Sequence, residues 1–499
     1  MTFSSTRRFG GGALVVAALI CLSSCAVPLA PGYQIEKQSI TVRFVPGSPP
    51  HLAIRAQYRL ANVGTAPLDS IELGLPSEKG FGLANPRVKI DGREVTPQRE
   101  SSQTSAPAEG ETSVSEMWPE TWRISFESRW PRRQRKNLVL EYDLAATPAP
   151  DPRISIASNA FYLNDSAWFP DPISAKALFA KDVVRPDPSD LIVDVPANFV
   201  ATAGGELRRT RKTGDQTEFR FLLHKDDFDP YVVAGQYQQQ RISGPGVTVL
   251  FWTLQAFPPA ILQQTATSLS ATDSFLASTF GAIRRANQPL LVVQASALGH
   301  PQQELDDHSV VTLPGMILFS PTDFSRDTSA GTALAALGKR LALSWFQHVI
   351  TPQPEAWLLG GSLASYAMVL ANEGSGTTAA RDDLIRRRLT RFDQLGNEGA
   401  EKPIAFVISG ATAQQRQMGD AKSTLFPFAL EDRCGRENVE HALAHMVYAL
   451  RGQEYGYTDF RAALEQECHQ DLSSMFATWL DQKGIPADFR ARYQNATSK

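Results

Sequence analysis

Cysteine is nearly absent from this chain of 499 residues: four occur, and no two of them form a Cys-x-x-Cys pair. The common zinc-ribbon and thioredoxin readings are thereby excluded. An excess of charge of one sign is missing too. A formal net charge of -3 leaves no electrostatic footprint for nucleic acid. The two basic clusters, Arg132-Arg133-Gln134-Arg135-Lys136 and Arg386-Arg387-Arg388, are expected to be a solvated turn and a solvated helix face. No stretch beyond Leu22 is long and apolar enough to predict a membrane span, and there is no internal repeat. What is present is ordinary globular composition, 42% hydrophobic and 20% charged, with length for roughly two to four domains.

The first residues are more informative. Arg7 and Arg8 precede a short apolar run from Ala13 to Leu22, followed by Ser23, Ser24 and Cys25. The run is shorter than the ~20 residues of a membrane span and suits the core of an export signal. The ending "LSSC" resembles the bacterial lipobox, in which the cysteine receives lipid and becomes the mature N-terminus. Residues 1–25 are therefore expected to be a lipoprotein signal peptide, with Cys25 the lipidated residue in the bacterial cell envelope. Ala26 after the cysteine favours the outer membrane, facing the periplasm, in a cell with two membranes. Cleavage would leave Cys434 and Cys468 able to pair in an oxidising compartment, although sequence alone does not fix that bond.

From about Tyr33 to Tyr237, segments such as "SITVRFV", "HLAIRAQYRLANVG" and "NLVLEYDL" alternate apolar and polar residues between turns. This predicts an antiparallel β-saddle or sandwich over residues 26–243, interrupted by a polar loop at Ser101–Ser115. Beyond Gly244-Pro245-Gly246, "VTVLFW" and "PLLVVQAS" flank a helical pattern, and after "GMILFS" the chain reads as mainly helical. Residues 244–499 are expected to form an α+β, mostly helical domain.

In "GTALAALGKRLALSWFQHV", Leu334, Leu337, Leu341 and Trp345 recur at helical spacing and predict a buried stripe. The helix breaks at Thr351-Pro352, and a second runs through "WLLGGSLASYAMVLAN". These residues resemble the membrane alanyl aminopeptidase family of zinc peptidases, the gluzincins, whose members read H-E-L-A-H-Q-W-F-G, a T-P turn, and W-L-x-E-G-F-A-S-Y. Leu341, Ala342, Trp345, Phe346, Thr351, Pro352, Leu359, Ala364, Ser365 and Tyr366 fall in register, with one residue fewer after the turn. "AFYLNDSAWFPD", "VDVPANFVATAGGEL", "DPYVVAGQY" and the closing "YTDFRAALEQECHQDLSSMFATWLDQKGIP" resemble further parts of that family in the same order. The resemblance implies an N-terminal saddle followed by a thermolysin-like peptidase domain.

It also implies where zinc would sit, and there this sequence departs. The chemistry needs two imidazoles one helical turn apart, a carboxylate base beside the first, and a third ligand on the next helix. The ligand positions carry Lys339, Leu343 and Gly361, and the base position carries Arg340. The amine-anchoring Glu falls on Ile317 and the transition-state Tyr on Asp420. A protonated Lys offers no lone pair, Arg is not a base, and Leu and Gly have no donor atom in their side chains. No zinc and no other cofactor is therefore expected, nor any catalytic residue.

In the family a zinc dication is balanced by two carboxylates, whereas here Lys339 and Arg340 bring two positive charges. Such cations need partners, so the region, with Gly315, Met316 and Ser362, is expected to be a cleft holding acidic neighbours or an anionic ligand. The bland alternative is that Lys339 snorkels to solvent. A peptide or envelope protein is the expected partner. The rival is an active hydrolase using other residues, such as zinc held by His308 or by His441 and His445, which stand one turn apart after Glu437. "GGSLA" misses the nucleophile-elbow pattern by one residue, and Ser362 reads as mid-helix. "ELDDHS" at Glu304–Ser309 reads as a solvated loop.

The anchor has a direct check. Intact-mass analysis of the mature chain is expected to show an acylated Cys25 N-terminus, and Cys25→Ser to release the protein from the membrane fraction. A mature chain beginning elsewhere, without lipid, would refute it.

Overall fold

Alternation of apolar and polar side chains drives the first half of the chain into sheet. In the computed structural model, residues 32–76, 82–99, 120–146, 154–163, 168–170, 186–224, 231–283, 288–295, 316–320, 330–374, 379–396, 402–404 and 413–494 are described. Cys25, Ser101–Ser115, Glu304–Ser309 with His308, and Gly315 lie outside them.

Numbered along the chain, the largest sheet contains β1 (Tyr33–Val45), β2 (His51–Asn62), β4 (Leu83–Ile90), β5 (Arg93–Val95), β8 (Arg135–Ala145), β11 (Ser189–Pro196), β13 (Glu206–Thr213) and β14 (Gln216–Leu223). Their order is β13-β14-β11-β1-β2-β8-β4-β5. Ile40, Val42 and Phe44 of β1 face inward at 2% exposure or less, and Ile54, Tyr58, Leu140 and Val193 join them in one core. Burying each such aliphatic or aromatic side chain is worth about 1.5–3 kcal/mol. The opposite face carries polar and charged residues, as one-sided sheets do. A second sheet, β3-β7-β6, comprises β3 (Leu68–Leu75), β6 (Gln98–Arg99) and β7 (Glu120–Trp130). A third, β12-β15-β10-β9, comprises β9 (Ile154–Ile156), β10 (Ala160–Leu163), β12 (Val200–Ala203) and β15 (Val232–Gly235).

The expectation of a wholly antiparallel saddle needs correction. β1 and β11 run parallel, with Ile40 beside Leu191 and Val42 beside Val193. They are far apart in sequence, so no hairpin fixes their relative direction; a long crossover permits the parallel pairing. One glycine is dictated by this corner of the sheet. Gly205, between β12 and β13, has φ +85°, and a Cβ there would lie 2.1 Å from the Leu222 carbonyl oxygen.

The expected division at 243/244 falls inside a hairpin. β16 (Gln238–Ser243) pairs with β17 (Thr248–Thr253), which continues into parallel β18 (Leu290–Gln294) and β19 (Met316–Phe319). The strand before Gly244 thus belongs to the second sheet-and-helix unit. Ile317 and Phe319 face the helices, whereas Met316 and Leu318 pack with Tyr162, Tyr231 and Val233 of the third sheet.

Nine helices are described: α1 (Pro259–Phe280), α2 (Ala330–Leu343), α3 (Trp357–Gly374), α4 (Ala379–Gly396), α5 (Ala413–Cys434), α6 (Arg436–Ala449), α7 (Tyr457–Cys468), α8 (Ser473–Leu480) and α9 (Ala487–Gln494). No helix among the described residues is long and apolar enough to cross a membrane. Ser344–Val349 forms a π-helical turn after α2, which the 3.6-residue spacing does not foretell.

Cys434 at the end of α5 and Cys468 at the end of α7 are joined in a disulfide, with Cα atoms 5.3 Å apart. It closes a loop of 34 residues around α6 and α7. Reduction, or Cys434→Ser with Cys468→Ser, is expected to cost the helical region about 2–4 kcal/mol in chemical denaturation. An unchanged midpoint would show the bond to be incidental to stability.

Candidate functional site

The frame around the predicted zinc positions is built from packing. Leu337, Leu341 and Trp345 are fully buried, and Leu334 is half-buried at the edge of the stripe. Trp345 Nε1 donates to the Gly281 carbonyl at 2.8 Å, and Phe346 stacks edge-on against Phe280 at 5.4 Å. The π-helical turn closes with the Ile350 N–H bonded to the Trp345 carbonyl. Thr351-Pro352 then forms a short parallel pair, β20, with β21 (Glu454–Tyr455). Tyr455 Oη donates to the Phe346 carbonyl at 2.9 Å, fixing the turn from the other side. Gly360 makes the approach of α3 feasible: a Cβ there would meet the Phe346 carbonyl at 3.0 Å and Tyr455 Oη at 3.3 Å. Midway along α3, Tyr366 Oη donates to Glu431 at 2.9 Å. Burial, reinforced by the Glu431 charge, pushes that phenol well above its ordinary range.

Inside the frame, each described residue expected at the site proves to be interior. Lys339 and Arg340 are both 1% exposed, so neither snorkels to solvent. Arg340 Nη1 donates to the Leu318 carbonyl of β19 at 2.6 Å, tying α2 to the strand that carries Ile317. Burial pulls its guanidinium down to about 9, which still leaves it charged at neutral pH. Leu343 and Ile317 are core residues of the helical region. Gly361 is buried in α3, where its carbonyl accepts the Ser365 hydroxyl at 2.8 Å. Ser362 is fully buried too; its hydroxyl donates to the Leu358 carbonyl one turn back and lies 2.6 Å from Ser423 Oγ of α5. A serine bound within its own helix is not at a strand-to-helix elbow. Met316 of β19 is buried in a cluster with Tyr162, Val233 and Trp252. Lys339, Arg340, Met316 and Ser362, expected to line a cleft, are thus 3% exposed or less and do not present an open face.

Asp420 of α5 is 2% exposed and takes a hydrogen bond from Arg388 of α4 at 2.5 Å. This corrects the reading of Arg386-Arg387-Arg388 as a solvated helix face. Arg386 and Arg387 reach solvent beside Asp383, but Arg388 turns inward and is fully buried. The three consecutive arginines point in directions about 100° apart, so one of them faces α5. Nearby Lys422 Nζ donates to the Gln482 carbonyl at 2.5 Å. Sequence reasoning named Asp420 for its position but missed Arg388 as its partner; a polar residue within the apolar stripe of α4 was the available signal.

The alternative metal pair fares differently. His441 and His445 stand on the exposed face of α6, with Glu437 also exposed. Among the described residues, no group of three or more His, Cys, Asp or Glu side chains could hold a metal ion. The donors at the frame do not fit zinc either: two positions supply no side-chain ligand atom, and Arg340 is committed to a carbonyl.

The fold belongs to a recognisable class. It is that of two-domain zinc aminopeptidases of the M1 type, with a sheet-rich N-terminal part and a helical C-terminal part. The similar solved structures are M1 zinc metallopeptidases from Deinococcus radiodurans. One, a mutant, matches with a TM-score of 0.55 at 15% identity over 91% of this chain and 96% of that one. Another form, described as bound to a Tyr-Ser-Ala substrate, matches with a TM-score of 0.55 at 15% identity over 91% and 95%. A two-domain form bound to L-tryptophan matches at 14% identity over 92% and 96%, again with a TM-score of 0.55. At this identity the likeness is one of fold. No protein-family profile matches the chain, and no curated protein does.

The buried Arg388–Asp420 pair gives a measurable consequence. Asp420→Ala is expected to destabilise by about 3–5 kcal/mol, because it strands a buried guanidinium; Arg388→Met with Asp420→Leu should recover most of that loss. Equal destabilisation by single and double variants in urea denaturation would contradict this account.

Proposed function

We propose that the protein is a catalytically silent scaffold with a thermolysin-like second domain. It is lipid-anchored through Cys25 in the bacterial envelope and engages a peptide or envelope protein without cleaving it. One observation carries the reading: Leu343 and Gly361 occupy ligand positions of the family frame as buried residues without side-chain donors, beside Arg340 bound to the Leu318 carbonyl. A base and a metal would both be needed where a guanidinium and a methyl-bearing core now sit. The Cys434–Cys468 bond supports an oxidising compartment such as the periplasm.

The M1 zinc metallopeptidase structures bound to a tripeptide and to free amino acids make a peptide the natural ligand class to test. Burial of Lys339, Arg340, Met316 and Ser362 argues that a partner meets the protein at its exposed surfaces rather than on those side chains. Metal analysis of residues 26–499, run beside a broad aminoacyl-amide and ester screen, is the decisive experiment. Sub-stoichiometric zinc and no turnover, with or without added zinc, is the expected result. Stoichiometric zinc together with turnover would overturn the proposal in favour of an active hydrolase.

A further inference from the structure

The outer face of the eight-stranded sheet carries more cations than carboxylates. At its centre Glu141 of β8 is shared by Arg55 of β2 and by Arg87 and Lys89 of β4, at 3.4, 3.8 and 3.7 Å. Glu36 of β1 is likewise shared by Arg59 and Arg135, at 3.0 and 2.7 Å. A single carboxylate cannot neutralise two or three cations, so these clusters stay net positive. The guanidinium groups remain in water: Arg55, Arg87 and Arg135 are 54%, 60% and 64% exposed.

At one edge the excess grows. All eight residues of β13 are exposed, and its sequence "ELRRTRKT" brings four cations against one carboxylate. Arg209 stands directly across from Arg220 of β14, a like-charge pairing that costs stability in a sheet. Arg220 is itself held by Asp190 through two hydrogen bonds of 2.9 and 2.7 Å. These cationic side chains are spread over five strands, β13 and β14 at one edge and β2, β8 and β4 beyond β11 and β1, rather than lining a furrow. Such a distribution matches an extended anionic array better than a single extended peptide.

We infer that this face of the sheet lies against the anionic headgroups of a phospholipid bilayer. Clustered Lys and Arg side chains near such a surface gain from its negative potential, within a Debye length of about 10 Å. Placing the bilayer nearby rests on the reading of Cys25 as an anchor. Only residues 26–31 separate that cysteine from Gly32, a span of at most ~21 Å when extended, and β1 begins at Tyr33 within this sheet. The anchor would hold the protein at the membrane, and the basic face would orient it there.

The test uses residues 26–499, which retain both large cores and lack the lipid, so failure of the basic face is separable from failure of the anchor. Co-sedimentation is measured with phosphatidylcholine vesicles and with vesicles containing about 30% phosphatidylglycerol, between about 50 mM and 500 mM salt. Binding is expected to be roughly tenfold stronger to the anionic vesicles and to fade with salt. Arg55→Gln, Arg87→Gln, Arg209→Gln and Arg211→Gln combined should abolish the preference. The same charge loss on the helical region, at Arg386, Arg433, Arg451 and Arg492, should leave it intact, with circular dichroism confirming the fold of both variants. Equal binding to both vesicle types, an unaltered preference in the sheet variant, or tighter binding to an acidic peptide or to DNA than to the vesicles would overturn the inference.

Discussion

The meeting of α2 and α3 around the π-helical turn at Ser344–Val349 is the constraint on which the helical region depends. Phe346 is central to it: its ring packs on Phe280 of α1, and its carbonyl accepts the Tyr455 hydroxyl from the segment before α7. Gly360 lets α3 reach that same carbonyl, and Trp345 anchors the turn to Gly281. A change at any of these contacts would disturb three helices together. The residues that resemble the peptidase family are therefore retained for a reason that does not require a metal. They set the angle between two buried helices, and that angle has value to any protein with this fold.

The interior of that frame holds buried charges on protein groups. Arg340 keeps a buried guanidinium, held by a strand carbonyl, and Arg388 keeps another, held by Asp420. Buried charges usually cost more than apolar substitutes of the same size. Their presence here is consistent with interactions that specify how α2, α4, α5 and β19 fit together, in place of ligand geometry. Glu431 extends the pattern, taking hydrogen bonds from Tyr366, Arg381 and Arg436 and so joining α3, α4, α5 and the start of α6.

Much of this was legible in the sequence. Period-two alternation located the long strands, and helical spacing located Leu337, Leu341 and Trp345 as core. What escaped were features set by contacts between distant segments. Nothing local in "SITVRFV" or "LIVDV" says that those strands run parallel. Arg388 looked solvated because its neighbours are charged, while its environment is decided by which side of α4 meets α5. Burial at the site was hidden for a similar reason: sequence register can name Met316 and Ser362 as neighbours of a site, but only packing reveals that they are interior. The π-helical turn was invisible because one extra residue per turn leaves no compositional mark.

The helical frame and the large sheet handle charge in different ways. Once the ligand positions hold Leu343 and Gly361, the core can close over them, since neither side chain needs access to water or substrate. The two halves then differ in kind. The helical region is tied together internally, by a disulfide and by the buried Arg388–Asp420 pair. The sheet places its charges outward, where carboxylates shared among several arginines leave exposed basic clusters. Charge that is buried here acts on the fit between helices, whereas charge that stays exposed is available to an anion in solution or at a surface.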